Sequence, residues 1–380
     1  MKRSLWVLAF AFALVGLSRD SSAAPPAAPT FSKDVAPIVY AKCVKCHRPG
    51  EVAPMSLIDY KNVRPWARAI RQKVVSREMP PWFADRKVGK WTNDMSLTQD
   101  EIDTIARWVD TGAPLGDAAQ VPPAPQFAKG WAMGVQPDAI VEMPLSVKLP
   151  AEGEVETRDY WGPPAFKEDK WISAVEFRPG NPEVVHHADA NIMPLCKGCS
   201  LRNGDLVGAD GSVSHDRNLK PEQKKQFGQK GDALFIYVPG HFTQKWPEQT
   251  AKNLPANWLV GFNMHYQPSG TPTEDRSAWG FWFAKAPVKQ QIFYGSGPTL
   301  PKPQYALTQV LAGGVEVANS RAGLLQDITH FGERPPIPPY AENYQMTLVR
   351  PVPVDITING FKPHMHLRGK DATYIVTYHD

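Results

Sequence analysis

Two spacings of apolar residues divide this chain. Up to about residue 117 the apolar positions recur three and four apart. Val63, Trp66, Ile70 and Val74 share one stripe, so the spacing predicts a helix over 60–77. Thr98-Gln99-Asp100-Glu101 has capping-box form. The helix it opens carries Ile102, Ile105, Trp108 and Val109 on one stripe, and Gly112 and Pro114 end it. Ser32 is placed to cap a short helix that leads to Cys43. Later the period changes. Ala139-Ile140-Val141, Val184-Val185, Leu234–Val238 and Trp258–Phe262 are short apolar runs bounded by Pro, Gly, Asn and Asp. That texture predicts antiparallel β-sandwich domains. The segment 118–137 between the two textures is rich in Pro and Ala and reads as a linker.

The chain has 380 residues, long for a single domain, and 38 prolines, which favour strands and loops over long helices. The expected layout is an all-α domain over 31–117 and the linker over 118–137. A first β sandwich over 138–290 and a second, incomplete one over 291–380 follow. The net charge of +4 is small, and no basic block points to nucleic acid. The first residues carry Lys2 and Arg3, an apolar stretch from Leu5 to Leu17, and the small residues Ser22-Ala23-Ala24. This predicts a signal peptide over 1–24 and a periplasmic or secreted protein. No later stretch has the length of a membrane span.

The four cysteines form two CxxC pairs. Cys43-Val44-Lys45-Cys46-His47 is the attachment signature of a c-type haem. Two thiols three apart on a helical turn reach the two haem vinyl groups, and His47 then faces the iron. A zinc site would need more ligands nearby, and residues 31–117 hold no other Cys or His. Helices around covalent haem predict a class I-type cytochrome c domain. Met55, Met79 and Met95 compete as sixth ligand. Met79 is preferred, because Met79-Pro80-Pro81-Trp82 forces an extended loop after a helix; the alternative is a core methionine at a helix end. Cys196-Lys197-Gly198-Cys199, in an exported protein, predicts a disulfide, with a soft-metal pair as the alternative.

Nine histidines lie beyond His47. His186 and His187 sit in EVVHHADANIM, His265 in LVGFNMHYQPSG, and His364 and His366 in ITINGFKPHMHLRG. On a strand, residues i and i+2 share a face, so His364 and His366 can bind one metal while Met365 faces away. Adjacent His186 and His187 point to opposite faces of a regular strand. They share a metal only if the backbone twists or bulges there. Imidazole-rich sites suit copper, zinc or non-haem iron. His215, His330 and His379 lack neighbours of ligand type, and His241 in VPGHF is the remaining candidate.

The HH pair, the later MHY strand and the HxH strand, in that order, resemble the copper type II, ascorbate-dependent monooxygenase family. That family includes peptidylglycine α-hydroxylating monooxygenase and dopamine β-monooxygenase. The resemblance covers roughly residues 138–380. The whole chain resembles bacterial proteins that fuse a cytochrome c to this copper fold. The resemblance implies two sandwich domains and two coppers. His186, His187 and His265 would hold the electron-storing copper, and His364 and His366 two thirds of the catalytic, oxygen-binding one. The family's third ligand there is a downstream methionine. No methionine follows Met365, so the expectation is a piece of a longer chain, the alternative being an altered second site.

The expected function is an exported haem- and copper-containing oxidoreductase. It would hydroxylate a C–H bond of a small-molecule or peptide-like substrate with O₂. Electrons would come from ascorbate or an electron-transfer protein through haem c. The alternative is a non-enzymatic periplasmic electron-transfer or copper-binding protein. A zinc hydrolase is a third class, disfavoured because the HxH strand comes last in a β-rich chain. Lys362 stands two residues before His364, where the peptide-hydroxylating branch carries an arginine. Lysine lacks the planar fork that grips a carboxylate, so the residue does not name a peptide substrate.

Overall fold

The computed structural model describes residues 27–128, 130–216, 218–227, 231–294, 307–312, 315–321, 340–349, 355–363 and 369–378. The segment 1–24, expected to be a signal peptide, lies outside them. The chain divides into two compact units, Met1–Pro49 with Ala53–Pro125, and Gly50–Val52 with Gln126–Asp380. It is mostly β sheet with a few helices.

Among the described residues the first unit is helical and without strands. A π-helical turn, Phe31–Val35, runs into α1 (Ala36–Lys42). The cap is Thr30, whose extended backbone lets its side chain accept from Lys33 N; Ser32, expected as the cap, is buried inside the first turn. The helix expected over 60–77 is three pieces: α2 (Tyr60–Val63), a 3₁₀ turn (Arg64–Trp66) and α3 (Ala67–Val75). Pro65 explains the break, since it lacks the N–H that an α-helix needs there and its ring crowds the preceding turn. α4 (Gln99–Asp110) starts at the expected capping box. Glu101 N donates to Thr98 Oγ1 at 3.2 Å and Thr98 N to Glu101 Oε2 at 2.7 Å. Its stripe of Ile102, Ile105 and Trp108 is buried against Phe31, Val35, Val39, Val63 and Val74. The Trp108 indole N–H donates to Pro114 O (2.9 Å) and the Tyr60 hydroxyl to Ala113 O (2.8 Å), which ties the end of the unit to its core.

The second unit is built from strands. In order they are β1 (Ala139–Glu142), β2 (Val147–Leu149), β3 (Arg158–Trp161), β4 (Lys170–Arg178) and β5 (Val185–Pro194). β6 (Ser200–Arg202), β7 (Asp205–Val207), the helix α5 (Pro221–Phe227), β8 (Asp232–Tyr237) and β9 (Thr243–Lys245) follow. Then come β10 (Thr250–Leu254), β11 (Trp258–Tyr266), β12 (Thr273–Asp275), β13 (Ala278–Phe283) and β14 (Gln290–Gln291). β15 (Leu307–Ala312), β16 (Val315–Arg321) and β17 (Met346–Val349) complete the series. One sheet has the order β1-β13-β4-β10-β14, with β9 also on β4; a second has the order β3-β11-β5-β8. β15, β16 and β17 form a separate three-stranded sheet.

The first two sheets share one apolar core. Val175 and Phe177 of β4 and Trp279 and Phe281 of β13 meet Ala188 and Ala190 of β5, Tyr237 of β8, and Phe262 and Met264 of β11. The Phe177 ring lies 4.5 Å from Trp279 and 4.7 Å from Tyr237, centroid to centroid, so it joins the two sheets. Burying each such large side chain contributes about 1.5–3 kcal/mol. Alternation follows from this core. On β5, Ala188, Ala190 and Ile192 face inward, and His187, Asp189 and Asn191 face outward. On β11, Val260, Phe262, Met264 and Tyr266 belong to the core. No described helix is long and apolar enough to cross a membrane.

One ion pair also links the sheets. Lys252 of β10 is almost fully buried and its ammonium bonds the Asp232 carboxylate of β8. The rings of Phe293 and Tyr294 lie 6.0 and 5.7 Å from the ammonium. Lys252→Ala strands Asp232 without its partner, and an uncompensated buried charge costs about 3–5 kcal/mol. Urea unfolding of K252A should show a loss of that size. The double variant K252M/D232L should recover most of it.

Candidate metal centres

The helical unit carries the first CxxC. Cys43 closes α1, its N–H donating to Val39 O (2.9 Å). Cys46 N and His47 N both donate to Cys43 O, at 3.1 and 3.0 Å, so the five residues form one tight turn. Cys43 and Cys46 are thiols, not a disulfide. Burial pushes the Cys43 thiol up to about 12, with Cys46 and Glu101 adding to the rise. A redox-active CxxC needs the opposite, a stabilised thiolate. His47 Nδ1 lies 3.3 Å from Met55 O. A carbonyl only accepts, so in this bond Nδ1 carries the proton and Nε2 keeps its lone pair for a metal. Burial lowers the His47 pKa, partly offset by that bond, which favours the neutral imidazole that metals require. Two thiols and one imidazole nitrogen in a single turn are the donor set that a covalent haem would take.

Met79 follows α3, its N–H donating to Lys73 O (3.1 Å). Its side chain is 43% exposed, so it is not a core methionine. Met55 instead packs on the helical core and offers its carbonyl to His47.

In the second unit the structure brings His186, His187 and His265 together. His187 of β5 pairs with His265 of β11. On a regular ladder Tyr266 would pair next with His186. It pairs with Val185 instead, so His186 is an extra residue in a β-bulge. The bulge removes the difficulty posed by adjacent histidines on a strand. The three rings gather with centroids 5.3 Å (186–187), 5.0 Å (186–265) and 4.7 Å (187–265) apart. One nitrogen from each lies within 4.8 Å of the others, and the two Nδ1 atoms of His186 and His187 are 3.1 Å apart. Imidazole nitrogens sit about 2.0–2.1 Å from a zinc-sized ion, so two ligands are at most about 4.2 Å apart. Three nitrogens on one ion lie closer still, about 3.4–3.6 Å apart, so closing the cluster shortens the widest separation by about an ångström. His186 is exposed and the other two are half-buried, which leaves the site open to an ion from solvent.

The next row of the same outer face is polar. Asp189 pairs with Asn263, which pairs with Asp159 across β11 and β3. Asn263 Nδ2 donates to Asp159 Oδ1 at 2.9 Å. Among the described residues, Asp189 Oδ1 is buried without a hydrogen-bond partner. Burial pushes the Asp189 carboxyl up to about 6; Lys362 opposes the rise and Asp159 adds to it. Sequence reasoning missed this row. Its signal was the i+2 spacing from His187 to Asp189 and the matching step from His265 back to Asn263.

No protein-family model matches the chain, and no curated protein matches it either. The site must therefore be read from its own chemistry.

The other sequence candidates fall elsewhere. His364 and His366 lie outside the described residues, as do His330 and His379. His215 Nδ1 is 3.0 Å from Asp205 Oδ1, which also takes Arg158, so a contact with that carboxylate accounts for it. The His241 ring packs 5.0 Å from Phe235. Cys196 and Cys199 form a disulfide with Cα atoms 5.2 Å apart, beyond the end of β5 remote from the histidines.

Loss of one ligand should exceed the ten- to hundredfold affinity cost typical of losing an outer-shell partner. His187→Ala and His265→Ala should each weaken Cu(II) binding by more than about a hundredfold in a competition titration. His215→Ala should leave it unchanged.

Proposed function

We propose that this chain is an exported haem- and copper-containing oxidoreductase of the copper monooxygenase type, fed with electrons through a c-type haem. The observation that carries the reading is the bulge that collects His186, His187 and His265 into one three-imidazole set. A neutral, thiolate-free, three-nitrogen set suits copper better than an iron–sulfur or magnesium site. The CxxCH turn with His47 oriented through Met55 supplies the second half of the argument.

When bound, the haem and copper would supply one-electron redox chemistry, and copper would add reaction with O₂. The chain's own residues hold and orient. Cys43 and Cys46 would fix the haem by thioether bonds. His47 would ligate iron through Nε2 while Nδ1 stays on the Met55 carbonyl, and Met79 would supply a further, thioether ligand. His186, His187 and His265 would hold the electron-storing copper at the rim of the second sheet. His364 and His366 are assigned to the oxygen-binding copper from the strand spacing and the resemblance. The β15–β17 sheet would belong to the second sandwich domain. The substrate class is a molecule with an unactivated C–H bond.

The three-histidine set alone would also serve a non-enzymatic copper or electron carrier. Stoichiometry separates the two. Two coppers per chain with O₂-dependent product formation support the monooxygenase, one copper without turnover supports the carrier, and zinc in place of copper points to a hydrolase.

Two measurements test the electron route. The matured protein should show a c-type haem that stays with the denatured chain, and Cys43→Ala with Cys46→Ala should abolish that attachment. In stopped-flow reduction, the haem signal should appear first and loss of the Cu(II) signal should follow at a slower, concentration-independent rate. Equally fast copper reduction in the haem-free double variant would contradict the route.

A further inference from the structure

The bulge that gathers the three histidines is not self-evident from β5 alone, because β11 could slide by one residue and remove it. A regular continuation would set Tyr266 opposite His186 and turn His186 toward the core. The observed pairing sets Tyr266 opposite Val185, and Gln267 N donates to Val184 O at 2.8 Å, so the shifted register persists beyond the bulge. Tyr266 is fixed from the core side. It is 3% exposed, and its hydroxyl donates to Asp275 Oδ2 at 2.9 Å. Asp275 is itself held, taking Ser277 Oγ–H at 2.8 Å and Asn181 N–H at 2.8 Å. Asn181 Nδ2 donates in turn to Thr273 Oγ1 at 2.9 Å. Asp275 and Ser277 are fully buried. Val184 and Val185 are buried too, so the shifted register also places two valines where apolar residues belong.

We infer that the Tyr266–Asp275 hydrogen bond is a positioning device: it locks β11 in the bulged register and so sets the number of imidazoles at the metal to three. The Tyr266 side chain lies in the apolar core, on the opposite face of β11 from His265. It acts through the backbone of His265, its chain neighbour, and through the pairing that forces His186 outward. The inference rests on the reading of His186, His187 and His265 as one metal site. It does not depend on the redox reaction.

The test uses the full chain with Cu(II) alone as probe, with affinity by competition titration and the number of coordinated nitrogens by electron paramagnetic resonance. Tyr266→Phe keeps the ring and removes the hydroxyl. It should weaken Cu(II) by about ten- to a hundredfold, the cost of losing an outer-shell partner, and shift the signal toward two nitrogens. Ile172→Val, a core change on the other sheet, serves as the stability control. It should lower the melting temperature yet leave affinity and signal at the wild-type level. Asp275→Asn is read the same way where Tyr266→Phe fails to fold. A Tyr266→Phe protein with wild-type affinity and a three-nitrogen signal overturns the inference. So does an equal loss in Ile172→Val, which would make the effect one of general stability. Wild-type protein whose Cu(II) affinity His187→Ala leaves unchanged overturns the metal-site reading, and the inference with it.

Discussion

The register between β5 and β11 is the constraint on which the candidate centre depends. A strand alternates its side chains strictly, so two neighbouring histidines cannot face one ion on a regular ladder. One extra residue changes this. With His186 bulged out beside the His187–His265 pair, all three imidazoles gather on one face. Alternation resumes on both sides of the defect, which keeps Val185 and Ala188 in the core while the imidazoles stay outside. The same feature thus satisfies burial and ligand geometry together. A sandwich core with large interlocked rings, Phe177 against Trp279 and Tyr237, is rigid enough to hold a defect of this kind in place.

The two CxxC pairs show how setting decides the chemistry of one motif. Cys196 and Cys199, in a turn that leaves β5, are joined as a disulfide. Cys43 and Cys46, in a turn that leaves α1, stay thiols and stand beside a histidine whose Nδ1 is already engaged. The second arrangement places two thiols and an imidazole within one tight turn. The CxxCH turn thus sits among helices and the three imidazoles on a sheet, in line with the change of texture along the chain.

Much of the fold was legible in the sequence because it rests on local rules. The capping box at Thr98, the stripe of Ile102, Ile105 and Trp108, and the alternation of β11 all follow from spacing. Pro65 was visible too, yet the stripe through Val63, Trp66 and Ile70 concealed the break it makes. The site was legible in its residues and not in its geometry. His186, His187 and His265 could be named from order and strand setting, but a bulge depends on what the partner strand buries. Tyr266 and Asp275 are nine residues apart and ordinary in sequence; only the pairing of β11 and the return through β12 bring them together. The polar row of Asp159, Asn263 and Asp189 is long-range for the same reason.

X-ray absorption at the copper edge tests the central claim most directly, on a chain loaded with one copper in a His364→Ala, His366→Ala background so that only this site reports. The account predicts three imidazole nitrogens at the ion held by His186, His187 and His265, and one fewer in His186→Ala. A copper bound by two or fewer imidazoles in that background, or a signal that adding His186→Ala leaves unchanged, would contradict it.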